Sequence, residues 1–396
     1  MEASMLDSKI INGKLIDTEK EQLLPLQLGI KDGKIACIGE DLPDAVRVID
    51  AKGLYVSPGF IDIHMHEEDF SVTKKQEWDI SECMLRMGVT TAVIGHGCGH
   101  NMLGSASVAA GIILSRKLPE IGGSVVVMGT PAEETSGAKV NYTADGAFSD
   151  IDAVIVDHPA SDAHHKSGRS LALRAMMFIF DGKPAHAASA PAQGINALDA
   201  CIITDTAIGL LRQQTRDDAR IHGIISEGGL APNVIPDHCV MKFYVRAADR
   251  IYRDELMERV INCAKAGALA TGCTLSMDEY ELGYDDLKTN ENLSELFTEC
   301  LHTVGVQFVD GPRKTFGSVD AGNVSYVCPT IHPYFAIGCD PSIAAHTKEF
   351  AALTQTLFAK DSMMQAAQAM ALAGCRMITE PETMAKIRKE FDEMPK

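Results

Sequence analysis

Residues 95–101, Gly95-His96-Gly97-Cys98-Gly99-His100-Asn101, lie between the apolar run VTTAVI (89–94) and the small-residue stretch MLGSASVAAGIILSRKL (102–118). The first reads as a strand and the second as a helix, so Cys98 and His100 fall in a strand-to-helix turn. A Cys-x-His pair alone means little, because both residues are common in structural roles. Two later segments raise its weight. GGSVVVMG (122–129) reads as a buried strand and leads to Glu133 and Glu134. IDAVIVD (151–157), a continuous apolar run of the parallel-sheet type, leads to His158. Ligands of open parallel sheets bind beyond the carboxyl ends of the strands, so three strands would deliver Cys/His, Glu/Glu and His to one edge. Thiolate, imidazole and carboxylate together suit zinc or a similar divalent ion. With Glu134 on a metal, Glu133 would stand beside the attacking water and could take its proton.

Toward the N-terminus, KIINGKLID (9–17), LQLGIKDGKIACIG (26–39) and VRVIDAKGLYV (46–56) are short strand patterns broken by Asn-Gly, Asp-Gly and Lys-Gly turns. They predict a small antiparallel sheet. PGFIDIHMHEED (58–69) reads as an apolar strand ending in His64, His66 and acids, and QEWDISECMLRMG (76–88) as a helix. Toward the C-terminus, residues 169–285 predict strand, helix, strand, strand, helix, which is an α+β sandwich. His186 in GKPAHAA and Asn233 in GGLAPNVIPD belong to this insert, and both could polarise a carbonyl or bind an oxyanion. After about residue 286 the α/β pattern resumes and closes with an Ala/Met-rich helix near 361–379. His332, in an aromatic strand, reads as packing, whereas His346, in a polar turn before a helix, suits a last metal ligand.

The chain has 396 residues, 46% hydrophobic and 23% charged, with a formal net charge of −18. That composition excludes a disordered, collagenous or coiled-coil protein. The acidic balance argues against nucleic acid or an anionic membrane as partner. Eleven cysteines in apolar settings, with no secretion-signal pattern and no apolar run of spanning length, fit a protein of the reducing cytoplasm.

From about residue 95 onward the segments GHGCGHNMLGSAS, GTPAEETSGAK, GKPAHAASAPAQGINALDA, GGLAPNVIPD, FGSVDAGNVSYVCPTIHPYF and HTKEF resemble the M20 family of metallopeptidases and amidohydrolases. Among its branches the chain is similar to Xaa-Arg/β-alanyl-lysine dipeptidases and p-aminobenzoyl-glutamate hydrolases. The resemblance implies an α/β catalytic domain (95–168 and 286–396) interrupted by an α+β lid (169–285) that dimerises. It implies two divalent metal ions, zinc ahead of manganese or cobalt, held by Cys98, His100, Glu134, His158 and His346. Glu133 would be the general base, His186 would stabilise the tetrahedral oxyanion, and Asn233 would bind substrate. The implied activity is hydrolysis of the amide bond of a dipeptide or N-acyl amino acid.

Residues 1–94 do not follow that family. IINGKLID, IKDGKIACIGE, VIDAKGLYVSPGFIDIHMHEED and GVTTAVIG resemble the opening of the TIM-barrel amidohydrolase superfamily, where His64 and His66 would bind the catalytic metal. The chain thus reads as a join near VIGHGCGH. The EYDALP-like segment that precedes GHACGH in the M20 pattern is absent. Two other readings follow from the join: a barrel-type amidohydrolase working through His64 and His66, or a catalytically inactive union of two hydrolase parts.

Overall fold

The computed structural model describes residues 5–17, 22–32, 34–56, 60–65, 89–94, 98–134, 137–314 and 317–395. Met1–Gly95 and His96–Lys396 form two compact units.

In the first unit the strands are β1 (Leu6–Ile11), β2 (Lys14–Asp17), β3 (Gln22–Leu24), β4 (Gln27–Lys31), β5 (Lys34–Gly39), β6 (Ala45–Asp50), β7 (Tyr55–Val56), β8 (Phe60–Met65) and β9 (Val89–Ile94). One sheet has the order β5-β4-β1-β6 and another β3-β2-β7, while β8 and β9 pair with each other. The expected antiparallel sheet is corrected here to a mixed one. β1 runs antiparallel to β4 but parallel to β6, and β2 runs parallel to β7. The excursion through β2–β5 is long enough to bring the chain back in its original direction, which a tight hairpin cannot do. His64 lies on β8, whereas His66 and the helix expected at 76–88 lie outside the described residues.

The second unit begins with α1 (His100–Ser115), α2 (Leu118–Ile121) and α3 (Ala138–Ala144), followed by β10 (Val154–Ile155) and β11 (His158–Ala160). An inserted domain contains β12 (Ala172–Asp181), α4 (Ala197–Leu211), β13 (Arg220–Glu227), β14 (His238–Ala247), α5 (Arg250–Thr271) and β15 (Thr274–Asp278). The chain returns through α6 (Glu291–Thr303), α7 (Ala321–Val324), β16 (Thr330–Ile331), β17 (Tyr334–Ala336), α8 (Lys348–Leu353), α9 (Leu357–Thr379) and α10 (Pro381–Glu393).

The insert is a two-layer α+β sandwich. Its sheet, ordered β13-β14-β12-β15, is antiparallel throughout. The two-residue period of β12 and β14 turns Phe178, Phe180, Met241 and Phe243 onto α4 and α5, where Ile208, Leu256 and Met257 meet them fully buried. Asn196 and Asp249 cap the two helices, accepting the main-chain N–H of Leu198 and Tyr252.

In the body of the unit, β10 runs parallel to β16 and β11 parallel to β17. α1 and α9 pack closely because their contact is glycine against leucine: a Cβ at Gly374 would stand 2.5 Å from Leu114 Cδ2. The strand expected over 122–129 is corrected. Residues 123–130 adopt no regular structure, and their main chain forms no hydrogen bond among the described residues. A strand exists through its neighbours. β10 is only two residues long and pairs on its β16 side, and Val126 and Val127 remain 57% and 45% exposed. IDAVIVD is likewise a strand only at Val154–Ile155.

Candidate metal centre

Gly99, the residue before α1, has φ 82, a left-handed conformation that glycine adopts without strain. A Cβ there would stand 2.4 Å from Pro159 Cγ and 3.2 Å from the Phe350 ring. The bare glycine therefore lets the Cys98–His100 turn press against the strand that carries His158 and the helix that follows His346. Cys98 Sγ lies 3.5 Å from His158 Nε2, and His158 Nδ1 lies 2.8 Å from the Pro159 carbonyl. The His100 and His158 rings meet edge to face at 5.3 Å, and His332 stacks on His158 at 5.6 Å.

Glu133 and Glu134 follow Ala132, whose φ of 61 is unusual for a residue with a Cβ. Their loop closes on itself through Gly137 N–H to Ala132 O (2.6 Å) and Ala138 N–H to Pro131 O (3.1 Å). Tyr284 holds it from outside, donating its hydroxyl to the Glu133 carbonyl at 2.8 Å. Gly137 fits against that tyrosine only because it lacks a Cβ, which would stand 2.6 Å from the ring. At the loop's far end, Lys139 donates its Nζ (2.8 Å) and its main-chain N–H (3.2 Å) to the buried Asp320. Neither anchor is visible in the sequence: Tyr284 and Asp320 stand 151 and 181 positions from their partners.

The side chains of this loop point at the turn. His100 Nε2 is 3.7 Å from Glu133 Oε2 and 3.8 Å from Glu134 Oε1, and His346 Nε2 is 3.8 Å from Glu134 Oε2. His346 also has a left-handed backbone, φ 67, and immediately precedes Thr347, which caps α8. Strained backbone of this kind persists where surrounding structure fixes it, typically at functional sites.

Three sets of donor atoms lie within 4.8 Å of one another: Cys98, His100 and His158; Cys98, Glu134 and His346; and His100, Glu133 and Glu134. Cys98 is common to two sets. A thiol, three imidazoles and two carboxylates concentrated in this way match the ligands of zinc-type ions. The electrostatics agree. Burial, reinforced by Glu134 and Glu133, pushes the Cys98 thiol well above its ordinary range. Burial lowers His100, and burial with the neighbouring His332 and His100 lowers His158 far below the ordinary imidazole value. Burial, Asp320 and Glu134 push the Glu133 carboxyl up to about 8, against the opposing pull of Lys139. Asp157, buried beside His158, has neither carboxylate oxygen hydrogen-bonded, and burial raises it strongly.

The structure thus gathers Cys98, His100, Glu133, Glu134, His158 and His346. His186 and Asn233 stand elsewhere, in the inserted domain, and are not among these donor sets. They are neighbours there: Ala187 N–H donates to Asn233 O at 3.0 Å, and His186 bridges Val234.

An α/β body, an inserted α+β domain and a cluster of metal-type donors gathered from the start of α1, the Glu133–Glu134 loop, β11 and the turn before α8 define a metallohydrolase. A family model described as a peptidase dimerisation domain matches residues 170–271. The chain is 35% identical over 308 residues to an Xaa-Arg dipeptidase of Mus musculus, covering 75% of this chain and 70% of that one. It is 44% identical over 91 residues to an allantoinase of Bacillus licheniformis, covering 22% of this chain and 20% of that one. Its fold is similar to that of an aminobenzoyl-glutamate utilization protein of Klebsiella pneumoniae, with a TM-score of 0.57 and 20% identity over 69% of this chain and 66% of that one. The chain belongs to the M20 family of metallopeptidases and amidohydrolases, hydrolases of amide and peptide bonds. No helix among the described residues is long and apolar enough to cross a membrane.

Proposed function

We propose that the chain hydrolyses the amide bond of a dipeptide or N-acyl amino acid, with two divalent ions held by Cys98, His100, Glu134, His158 and His346. The observation that carries this reading is the pair of donor sets sharing Cys98, with the Glu133 carboxyl set beside them. The thiol among the donors favours zinc over manganese or cobalt. When bound, such ions supply Lewis-acid activation of a water and of the scissile carbonyl.

Glu133 is the base. Its carboxylate is favoured once cations occupy the neighbouring donors, because opposite charge stabilises the ionised form. It takes a proton from the water whose oxygen attacks the carbonyl carbon, then gives that proton to the departing nitrogen as the C–N bond breaks. Tyr284, through the Glu133 carbonyl, keeps that carboxylate aimed. His186 and Asn233 bind the substrate's oxyanion and polar groups from the inserted domain, across a homodimer. The family match to a dimerisation domain supports that dimer, as does the edge strand β13, which leaves Ile224 64% and Ile225 41% exposed. The similarity to an allantoinase supports an amidohydrolase-type origin for residues 1–94, to which no step is assigned. The ten cysteines among the described residues are all free, which supports a cytoplasmic setting.

The test is turnover of a panel of dipeptides and N-acyl amino acids after loading with zinc or manganese, alongside Glu133→Gln and His64→Ala. Turnover lost in Glu133→Gln with metal content unchanged, and retained in His64→Ala, supports the reading. Unchanged turnover in Glu133→Gln, or none from metal-replete folded wild type, overturns it.

A further inference from the structure

In the inserted domain His186 stands in a run of small residues, Ala185-His186-Ala187-Ala188-Ser189-Ala190. Ala187 N–H donates to Asn233 O at 3.0 Å and Ile235 N–H to Ala185 O at 2.9 Å, so His186 is held opposite Val234. The chain then turns back, with Ala190 N–H on His186 O at 3.0 Å. That turn closes onto the ring itself. The main-chain N–H groups of Ala188 and Ser189 both donate to His186 Nδ1, each at 3.2 Å. In an Asx turn a side-chain oxygen takes such bonds, and here a ring nitrogen stands in its place.

We infer that these two amides are positioning groups that fix His186 as the Nε2–H tautomer, a neutral ring that only donates; its use rests on the oxyanion role proposed above. A main-chain N–H can only donate, so Nδ1 must present its lone pair. The neutral ring then carries its proton on Nε2. An imidazolium, with N–H at both nitrogens, would set one N–H against two others. Nδ1 and Nε2 lie on opposite sides of the ring, so the turn aims Nε2–H away from itself. In this form Nε2 has no lone pair with which to take a proton or ligate a metal. What it can recognise is an oxygen that gains negative charge, such as the carbonyl oxygen of a scissile amide. A donor oriented before the substrate arrives serves that purpose without reorganising. The short ladder that holds His186 also carries Asn233, so the two residues proposed to bind substrate are set as one piece.

The test is the ring nitrogen NMR spectrum of the zinc-loaded full chain labelled with ¹⁵N-histidine, at about pH 8, where histidines are neutral. The His186 signals are identified by their loss in His186→Asn. Protonated and bare ring nitrogens resonate far apart, and a ring that exchanges its tautomers gives averaged positions. His186 should show a bare Nδ1 and a protonated Nε2 without averaging. Ser189→Ala keeps the amide and should keep that pattern. Ser189→Pro and Ala188→Pro each remove one amide donor and should move the pattern toward the average. Each should also lower kcat about fivefold, with KM changed less. The rings of His222 and His238, in the same domain, report whether each proline variant keeps its fold, and the wild-type spectrum decides if neither does. A protonated Nδ1 or averaged signals in the wild type would overturn the inference, as would the wild-type pattern retained in both folded proline variants. The fixed pattern without turnover from the zinc-loaded wild type would support the tautomer and overturn the hydrolase reading instead.

Discussion

Replacing Gly99 by alanine should separate the proposed metal ligands from one another. The added Cβ would stand 2.4 Å from Pro159 Cγ, about 1 Å inside the 3.4 Å at which ordinary contact begins. It would also press on Phe350 at 3.2 Å. Pro159 follows His158 and Phe350 closes the turn after His346, so whichever neighbour yields carries a proposed metal ligand with it. The left-handed backbone, φ 82, costs alanine ~1–2 kcal/mol, and overpacking adds ~1–3 kcal/mol. The sum is a loss of ~2–5 kcal/mol. A shift of ~1 Å at a reacting centre lowers turnover by ~10²-fold. Gly272→Ala is the control, since Gly272 has φ 79 but nothing within 4 Å of its added Cβ, so only the backbone cost of ~1–2 kcal/mol applies. Urea unfolding of the metal-free proteins, zinc content and turnover would be measured on both. Equal unfolding free energies for the two variants, or wild-type zinc affinity in Gly99→Ala, would refute the wedge.

Asp320→Ala strands Lys139 in a buried site and should cost ~3–5 kcal/mol in urea unfolding, while Lys139→Met with Asp320→Leu should recover most of that; equal losses in the two would show the pair matters only as packing. His164 is buried with Nδ1 unpartnered, and burial lowers its ring to about 4. Its folded value lies below the unfolded ~6.5, so the unfolded chain binds the extra proton and stability is lost as pH falls from 6.5 toward 4, by ~3 kcal/mol at most. His164→Leu should flatten the fall in Tm between pH 6.5 and 4.5, and an unchanged slope would rule the residue out as its source. Because the Cys98 thiol lies above its ordinary range, zinc binding should release protons, read by calorimetry in buffers of different ionisation enthalpy; binding without release would mean the sulfur stays protonated and off the metal.

The inserted domain was legible because its signals are local. Alternation along β12 and β14 and the caps Asn196 and Asp249 lie within the segments they define. The donor cluster was legible for a related reason: Cys98, the Glu pair and His158 each follow an apolar run by a residue or a few. What failed to read from sequence depends on partners. GGSVVVMG has the composition of a buried strand, but composition cannot say whether a neighbouring strand is present. The parallel pairing of β1 with β6 depends on a path through β2–β5, not on either strand. Tyr284 and Asp320 act on the carboxylate loop from more than 150 positions away, and a tyrosine or an aspartate announces nothing about such a reach.

Tyr284 has one more property. The inserted domain joins the body by two lengths of chain, and Leu173 in one and Tyr284 in the other bond to each other through both main-chain groups, at 2.7 and 2.9 Å. The residue at this root is also the one whose hydroxyl suspends the Glu133 carbonyl. The root of the insert and the proposed base therefore share a single side chain. A swing of the inserted domain about its root would turn the tyrosine from which the carboxylate loop hangs, so the Glu133 carboxyl would move with it.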